Sequence, residues 1–376
     1  MIYLDNAATT KPLKTALLDA NFINEDVYFN PSSKYHGGIV ASSIVKTARE
    51  NISKCLGSEF DVIFTSCGSE SNNTAIYSYC KRGNFVTTLG EHSAVYEPFT
   101  DLKNKGFDAR FAKINKDGSV DEQSLLSIID ENTVFVSVVH VNNETGAIND
   151  INKLSFECKK KNPRLIFHSD GVQAFGKLPF RLASSIDLYS ASAHKIGGLK
   201  GVGALFKNKR LKSLKPLILG GGQEFNLRSG TENVFGIKVF ELATLDKYNN
   251  VTKNYQKISK LKELFLSKLN FDCVELISSN NSSPYVISLS AVGLKGEVIQ
   301  HMLETDSVYV GVGSACNSKN PHSRVLKEAG HLTAVLDGVI RISFSVDNTE
   351  EEVIFAVEKL NENLLKLKKA MKQWEK

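Results

Sequence analysis

Short apolar runs alternate with helical patterns through the first two thirds of the chain. Strands are predicted at residues 62–65, 85–89, 134–139 and 165–168, and helices at about 70–80, after 92 and at about 153–161. Because each run is short, rich in β-branched residues and followed by a helix, the alternation predicts a buried, mostly parallel sheet. The sequence therefore indicates the α/β fold class.

The pattern changes near residue 250. A Lys-rich amphipathic helix is predicted over 253–268, followed by short strands around 286–290 and 340–344 and a last helix from 349. This mixture is typical of a smaller α+β domain. We therefore expect a large domain over residues 12–249 and a small domain formed by residues 1–11 and 250–376.

Polar residues follow the predicted strands at the points where these strands end. They lie at 66–71, 91–92, 142–144, 170–173 and 192–195. Open α/β sheets bind ligands at the carboxyl ends of their strands. One such loop is unremarkable, but five along the chain indicate one shared site.

Lys195 is the most informative residue of these loops. It follows a short apolar stretch and precedes a glycine-rich segment at 197–203, which places its amine to form an imine with a carbonyl cofactor. Asp170 could keep the ring nitrogen of pyridoxal 5′-phosphate (PLP) protonated, and Gln173 could donate to the ring phenolate. A lone Asp after a strand is more often a turn residue. Asp170 is therefore a candidate cofactor-binding residue only in combination with Lys195.

Two further loops carry candidate groups for the same ligand. Gly68 and Ser69 join a strand to a helix, where backbone N–H groups and the helix dipole favour a phosphate. The same residues could simply cap the helix. His92 could stack on a ring and shuttle protons, although a loop histidine is often merely solvated.

Cys316 and Arg341 are candidates from the second part of the chain. Cys316 lies in a segment of small and polar residues at 311–321. We expect this segment to be mobile, which suits nucleophilic delivery better than core packing. Arg341 alternates with apolar neighbours as in a strand and could bind a substrate carboxylate. An incidental surface cysteine and a structural arginine are the alternatives.

Composition excludes few classes of protein but agrees with a folded soluble chain. Hydrophobic residues make up 42% and charged residues 23%, with a formal net charge of +5. This mild charge does not argue for nucleic acid, and no apolar run approaches membrane-spanning length. The first ten residues do not read as a secretory signal, and the six cysteines lack metal-ligand spacing. We expect a cytoplasmic protein with reduced thiols, no metal and no membrane or nucleic-acid partner.

Together these segments resemble the class V aminotransferase family, and within it the cysteine desulfurases of the NifS/IscS type. The matching stretches run in family order over nearly the whole chain: 3–10, 30–36, 66–73, 91–92, 140–146, 168–173, 192–195, 220–224, 228–231 and 313–316. The resemblance implies the type I, aspartate-aminotransferase-like fold of PLP-dependent transferases. Cys67, Ser69 and Ser93 depart from the usual family residues without removing a chemical group.

The resemblance also implies residue roles and a reaction. The cofactor would be held by Lys195, Asp170, Gln173, His92 and Asn143, and at its phosphate by Gly68, Ser69, Ser192, His194 and the neighbouring subunit's Thr231 in a homodimer. Asn143 and Arg341 would bind the substrate carboxylate, and Lys195, His92 and Cys316 would be catalytic. L-Cysteine would give L-alanine and a persulfide on Cys316, which passes to an acceptor protein for iron–sulfur cluster assembly or tRNA thiolation.

Two other functions remain open at this point. One is a neighbouring PLP reaction, such as that of a selenocysteine lyase or another class V aminotransferase-type enzyme. The other is a non-catalytic scaffold that binds sulfur-carrier or iron–sulfur assembly proteins.

Overall fold

The computed structural model describes residues 1–57, 59–80, 83–212, 214–313 and 322–374. The strands within these ranges are β1 Ile2–Leu4, β2 Phe60–Thr65, β3 Asn84–Thr88, β4 Asp108–Ala112, β5 Thr133–Ser137, β6 Ile166–Asp170, β7 Leu188–Ser192, β8 Gly203–Asn208, β9 Glu275–Leu276, β10 Val286–Ser290, β11 Val308–Val312 and β12 Val339–Ser343. The helices are α1 Lys14–Ala20, α2 Phe22–Asp26, α3 His36–Leu56, α4 Gly68–Tyr77, α5 Ser93–Asn104, α6 Glu122–Ser127, α7 Ile151–Lys161, α8 Gln223–Asn226, α9 Val234–Asn249, α10 Val251–Lys268, α11 Gly296–Thr305, α12 Arg324–Glu328, α13 Thr333–Asp337 and α14 Glu350–Trp374.

The larger sheet has the strand order β2-β8-β7-β6-β5-β3-β4. Its pairs are parallel from β7 through β6, β5 and β3 to β4, whereas β8 runs antiparallel to both β2 and β7. Central strand residues such as Val86, Phe135 and Phe167 are fully buried. Strands of a parallel sheet are covered on both faces, which explains their continuous apolar runs. The prediction of a mostly parallel mixed sheet is confirmed.

Helices cover the two faces of this sheet. On one face, Ala41, Val45, Ala48 and Ile52 recur at helical spacing along α3 and join a core with β2, β5, β8 and α9. On the other face, α4 and α5 contribute to a second core that includes Phe99. The strand ends and the first turns of the helices that follow them therefore share one edge of the sheet.

The smaller sheet has the order β1-β11-β12-β10-β9. β1 adds parallel to β11, and the remaining pairs are antiparallel. Helices α10, α11 and α14 bury their apolar faces in a separate core against this sheet, through residues such as Leu261, Ile299 and Val357. The proposed division of the chain at residues 11/12 and 249/250 stays a prediction.

The segment that follows β1 connects the two sheets. The Asn6 side chain donates to the carbonyl of Ser343 at the end of β12, over 3.0 Å. Four residues later, the Thr10 N–H donates to the carbonyl of His194, just beyond β7, over 2.9 Å. This segment therefore lies across the carboxyl edge of the larger sheet.

Among the described helices, none combines the length and apolar character needed to cross a membrane.

Candidate active site

A cavity of about 400 Å³ lies at the carboxyl edge of the larger sheet. It is bounded by the ends of β6 and β7, the first turn of α4, the segment after β1, and β12. Ten side chains or backbone positions predicted from the sequence line it: Gly68, Ser69, His92, Asn143, Asp170, Gln173, Ser192, His194, Lys195 and Arg341. They meet because parallel strands end at one edge of a sheet.

Lys195 lies in the short 3-10 turn Ala193–Lys195 directly after β7. Its Nζ donates to the carbonyls of Ala7 and Ala8, over 2.6 and 2.7 Å. Burial and the Arg341 guanidinium lower the pKa of Lys195 to about 8, against the opposing charges of Asp170 and Asp5. A substantial fraction of this amine is therefore unprotonated, and nucleophilic, at mildly alkaline pH.

Asp170 is the last residue of β6 and is only 4% exposed. Its Oδ2 accepts a hydrogen bond from Asn72 Nδ2 over 2.7 Å, and its Oδ1 accepts one from the Val172 N–H over 3.0 Å. No lysine or arginine of the described residues forms an ion pair with it. Because a buried carboxylate is costly without a positive partner, a protonated nitrogen of a ligand in the cavity would complete the site.

The start of α4 forms one end of the cavity. The N-cap position of this helix is Cys67, and no side chain of the described residues caps it. A Cβ atom at Gly68 would lie 2.7 Å from Val172 Cγ2, so the close approach of these segments requires glycine. The buried Ser192 Oγ finds no hydrogen-bond partner among the described residues. Uncapped N–H groups, the helix dipole and a free hydroxyl suit an anion such as a phosphate.

His92 and His194 are neutral at physiological pH. Burial and the nearby Lys195 lower the pKa of His92, although Asp170 opposes them, and burial and Lys195 lower the pKa of His194 to about 4. His92 Nδ1 accepts a hydrogen bond from the Ala94 N–H at the start of α5, over 3.0 Å. This assignment places the ring proton on Nε2, which is left as a hydrogen-bond donor.

Arg341 crosses from β12 to the cavity. One of its terminal nitrogens pairs with Asp5 Oδ1 at 2.7 Å, and the other donates to the Asn143 carbonyl over 3.1 Å. Its buried Nε has no partner among the described residues. A Cβ atom at Gly311 would lie 3.1 Å from this Nε, so glycine on the neighbouring strand leaves room for the guanidinium. The Arg341 side chain lines the cavity, where a guanidinium suits a carboxylate ligand.

Comparisons with known proteins identify the family. The model of the family described as aminotransferase class-V matches residues 2–354. The chain belongs to the class V aminotransferase family. It is 35% identical over 365 residues to the "NifS/IcsS protein homolog" of Lactobacillus delbrueckii subsp. bulgaricus, with 94% of each chain covered. It is also 35% identical over 384 residues to "Cysteine desulfurase IscS" of Dictyoglomus turgidum, with 98% of this chain and 95% of the relative covered.

Solved structures agree with this membership of the class V family. A protein titled "NIFS-LIKE PROTEIN" has a TM-score of 0.90 and 34% identity, with 96% of this chain and 99% of that chain covered. The NifS-like protein from Rickettsia africae ESF-5 has a TM-score of 0.87 and 31% identity, with the same coverage. The resemblance to NifS/IscS-type desulfurases and the type I fold of PLP-dependent transferases are therefore confirmed.

Class V enzymes of this type use PLP, and the cavity fits it. The uncompensated Asp170 carboxylate suits a protonated ring nitrogen, the Lys195 amine suits a carbonyl, and the free Ser192 hydroxyl and the α4 N-terminus suit a phosphate. All four of these features lie on one cavity. The assignment of individual residues to the cofactor stays a prediction.

The two remaining predicted residues of the family site are Cys316 and Thr231. Cys316 lies outside the described residues. Thr231 is exposed and lines a second cavity of about 100 Å³, which also includes Ser66, Glu224 and Arg228. A single chain therefore does not bring Thr231 to Lys195, and its role in a neighbouring subunit stays a prediction.

Several groups that support the site were not predicted from the sequence. Asn72 bonds Asp170, the carbonyls of Ala7 and Ala8 hold the Lys195 amine, and Lys177 Nζ donates to Gln173 Oε1 over 2.9 Å. Asn72 follows Gly68 by about one helical turn, a spacing that could have indicated it. Backbone acceptors leave no signal in a sequence.

Proposed function

We propose that this chain is a PLP-dependent cysteine desulfurase that converts L-cysteine to L-alanine and transfers its sulfur. The observation that carries the proposal is the meeting of the Lys195 amine, the Asp170 carboxylate and the Arg341 guanidinium on one cavity. Bound PLP supplies an electron sink for the charge that develops on the substrate carbons during reaction.

Lys195 and Arg341 have different roles in this reaction. Lys195 first anchors the cofactor and, once released from it, moves the proton at the substrate Cα. Its pKa near 8 suits both roles, because the amine exchanges protons readily near neutral pH. Arg341 binds the substrate carboxylate through its guanidinium and, with Asn143, fixes which bond of the substrate faces Lys195.

Cys316 is the proposed acceptor of the sulfur. Its thiolate attacks the substrate sulfur, an S–S bond forms, and the carbon–sulfur bond breaks. The carbon that is left takes a proton and becomes the methyl group of alanine, and Cys316 keeps the sulfur as a persulfide. His92 contributes by stacking on the ring and by offering its Nε2–H as a hydrogen-bond donor.

We further propose a homodimer in which Thr231 reaches the partner's cofactor. The segment before Thr231 exposes Leu219 and Phe225, which are 80% and 64% accessible in the single chain. Apolar side chains exposed so fully support a partner surface on this side. The final sulfur acceptor would be a protein of iron–sulfur cluster assembly or of tRNA thiolation.

The test measures cofactor attachment and product formation separately. Borohydride reduction followed by peptide mass spectrometry should fix PLP to Lys195, and Lys195→Ala should lose this label together with alanine formation. Cys316→Ala should keep the label but lose sulfide release from L-cysteine in the presence of a thiol reductant. Cys67→Ala is the matched control, because Cys67 is a thiol that lines the cavity itself.

Three outcomes would contradict the proposal. A protein that stays colourless with PLP would reject the enzyme and favour a binding scaffold. Full desulfurase activity in Cys316→Ala would reject Cys316 as the acceptor. If Cys67→Ala lost activity and Cys316→Ala did not, the sulfur acceptor would be Cys67 and not Cys316.

A further inference from the structure

A second lysine, Lys177, is buried beside the cavity and has no role in the function proposed above. It is only 6% exposed, and no acidic side chain of the described residues forms an ion pair with it. Its Nζ lies 2.9 Å from Gln173 Oε1 and 5.8 Å from the centre of the Tyr285 ring. Burying an ammonium group with so little compensation is costly, so this arrangement requires a reason.

The backbone turn before Lys177 directs it back onto Gln173. Gly176 has a φ of +68°, in the left-handed region that glycine adopts without strain. A Cβ atom there would also lie 3.1 Å from Ile196 Cγ2. The turn thus places a lysine amine against the amide of a residue four positions earlier.

A hydrogen-bond donor on one side and an acceptor on the other determine how the Gln173 amide is oriented. An ammonium group only donates hydrogen bonds, so the amide atom facing Lys177 must be the oxygen. The Ala7 carbonyl only accepts, so the amide atom facing it, at 2.8 Å, must be the nitrogen. With one N–H used by Ala7, the second N–H of Gln173 is left for the cavity that Gln173 lines.

We propose that Lys177 is a positioning residue that locks the Gln173 amide so that its N–H group, and not its oxygen, faces the phenolic oxygen of PLP. This inference rests on the function proposed above. In the opposite orientation, amide N–H groups would face the ammonium and the amide oxygen would face both the Ala7 carbonyl and the phenolate. Each of these contacts is repulsive, and the first of them depends on Lys177 alone.

The charge state of Lys177 agrees with this role once the cofactor is bound. Burial and the charges of Lys195 and Arg341 lower the pKa of Lys177 to about 7. The negatively charged oxygens of bound PLP, including the phenolic oxygen that would face Gln173, would favour the protonated form of Lys177. The lock is therefore strongest in the protein that carries the cofactor.

The experiment measures PLP affinity by titrating apoprotein with PLP and recording the visible absorbance of the bound cofactor. Lys177→Met should weaken PLP binding by roughly tenfold, the effect of a lost hydrogen bond to a charged group. Lys177→Arg, which keeps a cationic donor, should restore most of the affinity. Lys262→Met is the control. Lys262 is a partly buried lysine of α10 that donates to Ser282 Oγ over 2.7 Å, so its replacement should leave PLP affinity unchanged.

A double-mutant cycle separates a lock on Gln173 from a direct effect of charge. In a Gln173→Ala background, Lys177→Met should cause no further loss of affinity. Gln173→Glu keeps a partner for Lys177 but replaces the N–H donor by oxygen, so it should bind PLP as weakly as Gln173→Ala. It also tests the proposal should Lys177→Met fail to fold.

Each contrary result has a distinct meaning. Unchanged affinity in Lys177→Met or Gln173→Glu overturns the inference, and so does an equal loss from Lys177→Met in the presence and absence of Gln173. Failure of the wild-type protein to bind PLP overturns the proposed function instead.

Discussion

Replacing Arg49 by methionine would test how the segment that carries Thr231 is held in place. This segment contains a turn in which Glu224, Phe225 and Asn226 have φ values of 47°, 59° and 63°. Left-handed backbone costs roughly 1–2 kcal/mol for each non-glycine residue, so the turn holds about 3–6 kcal/mol of strain. Something must compensate for it.

A buried ion pair provides this compensation. The Glu224 carboxylate accepts hydrogen bonds from both terminal nitrogens of Arg49, each over 2.6 Å, and from the Phe64 N–H over 2.8 Å. The guanidinium also lies 4.9 Å from the ring centre of Phe64 and 4.8 Å from that of Phe225. Removing one partner of a buried pair costs about 3–5 kcal/mol, because the remaining charge stays desolvated. This is comparable to the strain, so Arg49→Met should open the turn locally.

Hydrogen exchange followed by mass spectrometry can detect this opening in peptides covering residues 218–231. Arg49→Met should accelerate exchange there while leaving peptides of the larger sheet protected. Adding Glu224→Gln should reduce the effect, because a neutral amide replaces the stranded carboxylate. Arg110→Met is the control, since Arg110 pairs with the partly exposed Asp108 and Asp130, and such pairs contribute little.

Unchanged exchange over 218–231 in Arg49→Met would show that the ion pair does not hold this turn. The same conclusion would follow if the effects of Arg49→Met and Glu224→Gln simply added, because independent effects would mean that no buried charge was left unpaired.

Two further predictions concern buried groups beside the cavity. Burial raises the pKa of Glu91 from its usual 4.5 to about 8, so the stability that its neutral form contributes is complete below pH 4.5 and is lost as the pH rises through 8. The urea midpoint should therefore fall less between pH 5 and pH 8 in Glu91→Gln than in the wild type, and an equal fall would show that Glu91 does not titrate in this way. Asn72→Leu removes the side-chain donor to Asp170, and we expect PLP titration to show roughly tenfold weaker binding. Unchanged affinity would mean that this bond does not orient the Asp170 carboxylate.

Sequence patterns predicted those strands and helices whose formation depends mainly on neighbouring residues in the chain. The strand expected at 85–89 is β3, Asn84–Thr88, and the helix expected at 253–268 is α10, Val251–Lys268. β8 was not predicted, because its place between β2 and β7 and its antiparallel direction depend on pairing with residues far away in the sequence. β4 was also missed, since Asp108 and Arg110 interrupt its apolar pattern at the edge of the sheet.

The site residues also divide into those that local sequence patterns can place and those that depend on contacts with distant residues. Residues at the ends of β6 and β7 could be expected to meet, because parallel strands share an edge. The helical spacing of Asn72 from Gly68 could have indicated its place at the cavity, but not its bond to Asp170. Lys177 could not be expected, since it acts on another polar side chain whose orientation only the folded chain fixes. Cys316 and Thr231 stay predictions, the first because it lies outside the described residues and the second because it requires a second subunit.

The segment after β1 shows why no single motif defines this cavity. Its backbone carbonyls hold the amine of Lys195 and the amide of Gln173, and Asp5 pairs with the guanidinium of Arg341. β1 itself is paired with β11 in the smaller sheet. The amine and the amide therefore come from the larger sheet, the guanidinium comes from the smaller one, and their relative positions depend on how this one segment lies between the two. A substitution that shifted the segment would disturb all three groups together, although none of the three residues had changed.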